Sequence, residues 1–428
     1  MVKKIVSRII VILTLSLLGV ATVSQPSAAA TQGQLLDAKA GIAVDASSGQ
    51  ILYQQNAKQV LPIGSMTKMV LIYLTLQAIK EGKLTWNTEV PVDQLAYRLT
   101  QDKDLTNVPL EENGHYTVGS LYQAALVASA NSAAVLLGNA VAGSQTGAVN
   151  QMRTLLKRWG IEDAKIVNTS GLNNSYLGDD RYPNSASTAE NEMSAADVAI
   201  AAQHLMADYP EVLETTKQRS LPFQVKSGTT TTMKTWNTML PGESAAVSDL
   251  PVDGLKTGTT DLAGECFAGT VSKNGNRIIT VVMHANQAEK DKNARFTETA
   301  KLMHEVFNTQ TKQTWLPKGA QVNQLKTLAV PDGKNTAVKI GTKQALTFWA
   351  PTAATSNQIK LSYQLTKAAT KKQLAAPVKA QQKVGTATIQ SNDYLPGYSV
   401  PKVTLVTQTS VAKATFGQQV SRFFQNIF

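Results

Sequence analysis

One cysteine and four histidines among 428 residues leave little for thiol or metal chemistry. Cys266 has no partner for an intrachain disulfide, and within an apolar stretch a lone thiol packs as a core atom rather than acting as a nucleophile. No histidine pair has metal-ligand spacing and no glycine-rich phosphate loop occurs, so neither metal nor cofactor is expected. No tandem repeat is present. Long apolar runs are missing too. The one candidate, residues 9–23, is too short to span a bilayer comfortably. It follows Lys3, Lys4 and Arg8 and precedes Ala28-Ala29-Ala30, the order of a secretory signal peptide over residues 1–30, with a retained anchor as the alternative. An exported chain without a disulfide must be held by its core alone.

Negative charge is scarce in one place only. Residues 31–311 hold 23 basic and 28 acidic side chains, whereas residues 312–428 hold 15 basic and 2 acidic. Such a basic third is drawn to anionic surfaces. Outside the cytoplasm those are acidic lipids or anionic wall polymer, not nucleic acid; simple solubility is the plainer alternative.

What is present reads as several regions, since 428 residues exceed one ordinary core. Residues 40–46 and 51–54 read as two strands joined by the turn Ser47-Ser-Gly-Gln50, and residues 68–79 as a buried helix apolar nearly all round. Residues 118–141 read as two helices broken near Ser129-Ala-Asn131, and Ser194 with Asp197 marks another helix start. Residues 254–259, 266–271 and 277–284 read as strands, the last two joined at Lys273-Asn-Gly-Asn276, before a helix over 296–307. Strands, helices, strands and a helix predict an α/β (α+β) region, with an antiparallel sheet flanked by helices and built from both ends of residues 31–311. A connector is expected at 308–318, then a C-terminal all-β sandwich over 312–406, with residues 367–383 as a loop or charged hairpin. Over residues 407–428, Phe416, Val420, Phe423, Phe424 and Ile427 share one helical face opposite Lys413, Gln418, Gln419, Arg422 and Asn426. This amphipathic helix suits a membrane interface, or docking on the β-region.

Three short motifs carry the chemistry. In Ser65-Met-Thr-Lys68 the positions i and i+3 of a helix start bring an amine to a hydroxyl, and a neutral lysine can take the proton of a serine nucleophile. Burial and a nearby positive charge both favour the neutral amine. Ser399-Val-Pro-Lys402 matches the same pattern, but Pro401 argues against the helix it needs. Ser129-Ala-Asn131 can relay a proton and hold a substrate amide; taken alone, a helix cap is the simpler reading. Lys256-Thr-Gly258-Thr259 offers a cation and hydroxyls on a strand to a carboxylate, with Gly258 leaving room for substrate backbone. Lys226-Ser-Gly228 fits the loose pattern as well, but without the strand neighbours.

The three motifs in this order resemble the set shared by serine β-lactamases and penicillin-binding proteins. From about residue 36 to 307 the chain resembles the low-molecular-mass penicillin-binding proteins, serine-type D-alanyl-D-alanine carboxypeptidases. A C-terminal β-domain and final amphipathic helix fit that family's layout. The resemblance implies a substrate, the peptidoglycan stem pentapeptide ending in D-Ala-D-Ala, and acylation by β-lactam antibiotics. It implies a peripheral place on the extracytoplasmic face of the cell membrane. It assigns Ser65 as nucleophile, Lys68 as proton acceptor, and Ser129 and Asn131 as relay and clamp. Lys256, Thr257, Gly258 and Thr259 then hold the terminal carboxylate, the N–H groups of Ser65 and Thr259 form an oxyanion hole, and Arg295 assists. A serine β-lactamase is the nearest rival, with Glu162, Glu190 and Glu192 placed for the extra base, yet none is followed by Asn at class A spacing. A non-catalytic wall-binding or drug-sensing protein, and an esterase or aminopeptidase on the same scaffold, are the others.

Overall fold

Strand β1 (Ala38–Asp45) is buried on both faces, because helices cover the sheet on either side. The computed structural model describes residues 34–425 except 323–324, 356–358 and 391–392; the expected signal peptide and Ile427 lie outside the described residues. β1 pairs with β2 (Ile51–Gln55) and β11 (Asn276–Ala285), and β10 (Gly264–Lys273) and β9 (Val252–Thr260) complete an antiparallel sheet of order β2-β1-β11-β10-β9. The two-residue alternation of a strand sends neighbours to opposite cores. Ile42, Val44, Ile279 and Val281 pack with the helices of the middle segment, whereas Ala43, Ile278 and Val282 pack with Leu302, Met303 and Val306 of the helix that closes the region. Each such burial contributes roughly 1.5–3 kcal/mol. The β10–β11 turn is Asn274-Gly275, with both φ angles positive (54° and 74°), as a tight hairpin between right-twisted strands requires.

The middle segment supplies α1 (Lys68–Lys80), α2 (Gln94–Gln101), α3 (Val118–Leu126), α4 (Asn131–Ala142), α5 (Gln145–Arg158), α6 (Ala195–Asp208) and α7 (Val212–Thr216). Ser194 and Asp197 form the reciprocal cap expected at the start of α6. Three two-stranded ribbons brace the helices: β3 (Val60–Pro62) with β6 (Glu192–Ser194), β4 (Glu89–Pro91) with β5 (His115–Thr117), and β7 (Ser220–Lys226) with β8 (Thr229–Lys234). Helix α8 (Ala294–Thr309) returns across the sheet. The expected combination of antiparallel sheet and flanking helices is what the chain adopts.

The expected connector after α8 is instead a strand. β12 (Gln310–Leu316) pairs with β15 (Leu346–Pro351). Only Trp315 of its side chains is buried, so its polar run hides the strand from a periodicity reading. Facing this ribbon is a five-stranded sheet of order β13-β14-β18-β17-β16: β13 (Thr327–Ala329), β14 (Ala337–Thr342), β16 (Leu361–Leu365), β17 (Lys383–Ile389) and β18 (Lys402–Thr407). Trp315, Leu346 and Phe348 of the ribbon share one core with Leu328, Ile340, Val384 and Leu405 of the sheet, which makes a sandwich. Lys367–Lys372 is a short 3-10 turn. Residues 407–415 still belong to the sandwich, with Val411 buried, and α9 (Phe416–Gln425) follows.

β15 is the seam between the two regions. Phe348 enters the sandwich core while its neighbour Trp349 enters the core beside α8. Trp349 Nε1 donates to the buried carboxylate of Asp45 (2.6 Å), which also takes Lys312 Nζ (2.9 Å) and the hydroxyls of Ser47 and Ser48. Burial would raise the Asp45 carboxyl, but these donors outweigh it and hold the group below its usual range. Gln50 adds a pair of bonds to the Trp349 backbone. Removing one partner of a buried charged pair like this costs about 3–5 kcal/mol.

Candidate active site

Ser65 lies in a 3-10 turn, Gly64–Thr67, just ahead of α1. In that tighter helix residues i and i+3 eclipse, which brings Lys68 Nζ to 2.8 Å from Ser65 Oγ. Lys68 is fully buried. Its nitrogen also reaches Asn131 Oδ1 and the Ser170 carbonyl, each at 2.8 Å. Both of those oxygens can only accept. A neutral amine has two N–H groups and one lone pair, so donating to both carbonyls turns the lone pair toward the Ser65 hydroxyl. Burial, and then the positive charge of Lys256, push the Lys68 pKa well below its ordinary value. The surroundings that favour an uncharged lysine are therefore built into the folded chain.

The second lysine sits across from it. Lys256 Nζ donates to Ser129 Oγ (2.7 Å) and to the Thr257 carbonyl (3.2 Å). Burial, and then Arg295, lower its pKa to about 7. Ser129 has φ +58°, a left-handed conformation unusual for serine, and α4 is capped by Ala130 without a side-chain bond. The simple capping reading of Ser129 is thus replaced by a hydroxyl turned to Lys256. Asn131 spends one amide hydrogen on the Thr106 carbonyl and its oxygen on Lys68, so it joins the loop after α2 to the start of α1.

Backbone approach explains the glycines. A methyl on Gly64, whose φ is +50°, would stand 2.9 Å from Thr259 N, which puts that nitrogen beside Ser65. A methyl on Gly258 would stand 2.3 Å from the Ile63 carbonyl. On the side where a side chain of Gly258 would stand, the backbone just ahead of Gly64 fills the space. Thr257 is buried beside Lys256 while Thr259 is exposed on the same edge strand.

The third partner of Lys68, the Ser170 carbonyl, escaped sequence reasoning. Ser170 is held by a buried amide network in which Asn191 Nδ2 donates to Thr67 Oγ1 and the Asn168 carbonyl. Asn168 Oδ1 in turn accepts from the Ser170 and Gly171 N–H groups. The only signal was the cluster Asn168-Thr-Ser-Gly171, an ordinary turn composition.

Residues 24–287 match the family model described as D-alanyl-D-alanine carboxypeptidase. The chain belongs to that family. Residues 311–413 match a second model, the C-terminal domain of penicillin-binding protein 5. The chain is similar to the D-alanyl-D-alanine carboxypeptidase DacC of Escherichia coli, 28% identical over 391 residues, covering 91% of this chain and 88% of that one. Among solved structures it is similar to a peptidoglycan synthesis regulatory factor, PBP3, of Streptococcus pneumoniae, at 36% identity and TM-score 0.71, covering 88% and 99%. A third is penicillin-binding protein D2 of Listeria monocytogenes in an ampicillin-bound form, at 29% identity and TM-score 0.51, covering 64% and 98%.

Within this family member Arg295 has a different setting from the other site residues. Its guanidinium pairs with Glu265 (3.0 Å) and donates to the carbonyls of Gly258 and Cys266, bracing β9 and β10 from the start of α8. Of the glutamates raised by the lactamase alternative, two have side-chain partners. Glu190 accepts from Thr260 Oγ1 and Asn173, and Glu192 pairs with Lys165 (2.7 Å). Lys226 sits at the β7–β8 hairpin against Glu111, apart from Ser65.

Proposed function

We propose that Ser65 is the nucleophile of a serine D-alanyl-D-alanine carboxypeptidase acting on peptidoglycan stems. The observation that carries the reading is the hydrogen-bond count at Lys68, which leaves an amine lone pair on the Ser65 hydroxyl. Ser65 Oγ bonds to the carbonyl carbon between the two D-alanines while its proton passes to Lys68. The oxyanion lies at the N–H groups of Ser65 and Thr259. The C–N bond then breaks, the leaving amine receives a proton through Ser129, and the acyl-enzyme is hydrolysed by water to free Ser65 and a shortened stem. Lys256, Thr257 and Thr259 grip the terminal carboxylate, while Arg295 steadies their strand.

A β-lactam presents a reactive amide and a carboxylate in similar relation, and the ampicillin-bound Listeria relative supports acylation here too. Purified protein should bind labelled penicillin at Ser65 and release one D-alanine from a pentapeptide. Mass spectrometry of the labelled peptide decides it: unchanged labelling in Ser65→Ala would remove the mechanism.

The same proposal places the protein on the outer face of the cell membrane through α9. Phe416, Phe423 and Phe424 are exposed, with relative accessibilities of 83%, 63% and 55%. Arg422, from the polar side, donates to the Gly333 and Lys334 carbonyls of the sandwich. The apolar face thus points away from the body that the helix touches, as an interfacial helix needs. No helix among the described residues is long and apolar enough to cross a membrane.

A further inference from the structure

Outside α9, the large apolar side chains left exposed among the described residues are Trp86, Tyr176, Trp236 and Leu262. Trp236 is the most exposed of these at 55%. It is nevertheless fixed, because its Nε1 donates to the Ala128 carbonyl (3.2 Å), one residue before Ser129. Two residues on, Thr238 Oγ1 meets Asn293 Oδ1 (3.4 Å) at the start of α8, next to Ala294 and Arg295. Thr235 N is bonded to the Arg219 carbonyl (2.9 Å), and Met239 is buried. The segment 235–239 is therefore tied on one side to the Ser129 loop and on the other to the helix that braces β9. A solvent-facing indole held this firmly is a preformed surface rather than a stray surface residue.

Its place relative to substrate follows from the proposed function, on which this step rests. The scissile carbonyl lies by Ser65 and Thr259 N, and the terminal carboxylate by the grip of Lys256, Thr257 and Thr259, whose lysine also donates to Ser129 Oγ. Substrate chain thus runs from Thr259 toward Lys256, and whatever continued past the carboxylate would next meet the group seated on Ala128. We propose that Trp236 is the end wall of the substrate strand, a specificity-determining residue that confines cleavage to peptides ending in a free carboxylate. A chain extended beyond the second D-alanine collides with the indole, while a terminal one stops short of it.

The test uses a pentapeptide ending in D-Ala-D-Ala and the same peptide lengthened by one C-terminal glycine. The quantity read is the ratio of kcat/KM on the long peptide to that on the short one. Trp236→Ala should raise this ratio about tenfold or more, the scale on which pocket shape alone discriminates. Trp236→Phe, which keeps a ring but loses the bond to Ala128, should stay within about threefold of the parent. Labelling of Ser65 by penicillin reports an intact site in each protein, and Trp236→Leu serves if the alanine variant melts early. An unchanged ratio in labelled Trp236→Ala or Trp236→Leu overturns the end wall and leaves the carboxypeptidase reading standing. A Phe variant as relaxed as the alanine one also overturns it, since the hydrogen bond would then be the cause. A parent protein that neither labels nor releases D-alanine defeats the underlying reading itself.

Discussion

Lysine does opposite work in the two regions of this molecule. Around the cleft, Lys68 and Lys256 are buried, each surrounded by oxygens that carry no full charge, and both have lowered pKa values. On the sandwich, Lys318, Lys326, Lys339, Lys343, Lys379 and Lys402 are exposed and make no ion pair among the described residues. Burial in one region turns lysine into an amine with a usable lone pair; solvent in the other keeps it a cation that acts at a distance. Net charge summed along a sequence mixes these two populations and describes neither.

The sharpest way to break the contrast is to force charge back into the cleft. Lys68→Arg places a guanidinium that cannot lose its proton beside Ser65, and acylation by penicillin should slow by about a thousandfold. Lys343→Arg on the sandwich should leave the rate untouched. A cleft variant within tenfold of the parent in rapid-mixing acylation would mean that Lys68 is not the base.

A smaller effect is expected at α9, where the proposal sets exposed apolar side chains against a membrane. Each phenylalanine of α9 that enters the interface contributes roughly 1.5–3 kcal/mol. Phe423→Asp should therefore weaken vesicle binding about tenfold or more, and removal of everything after Thr415 should shift the protein from membranes to medium. Unchanged partition after that truncation would show that α9 is only a docked helix.

The smallest change is a pH limb. Lys256 is a cation below about pH 7 and loses its proton as pH rises through that value, so the proposed grip on a carboxylate should be present on the acid side and fade on the alkaline side. The pH profile of kcat/KM for the peptide should fall several-fold above about pH 7, as free-enzyme titration requires. Lys256→Arg should flatten that limb, because the guanidinium stays charged. The same limb persisting in the Arg variant would assign it to another group.

What could be read beforehand was mostly local. The Ser65–Lys68 contact is a matter of helical spacing, and the β10–β11 turn announces itself through Asn274-Gly275. Contacts between distant segments are another matter. The Lys256–Ser129 bond joins residues 127 positions apart, and no periodicity reports it. The Ser170 carbonyl beside Lys68 is main chain, which every residue possesses and no composition reveals. Gly258 was recognised as a place of close approach, but only the folded chain shows the Ile63 carbonyl there. β12 was taken as a connector since its side chains are mostly threonine, lysine and glutamine, and its partner strand lies thirty residues on.

The Asp45–Lys312–Trp349 clasp has a mechanical consequence. At the seam an indole, an ammonium and two hydroxyls all spend hydrogens on one carboxylate. Parting the sandwich from the sheet there would strand a buried charge without its donors, so the two regions hold or fail together at that point.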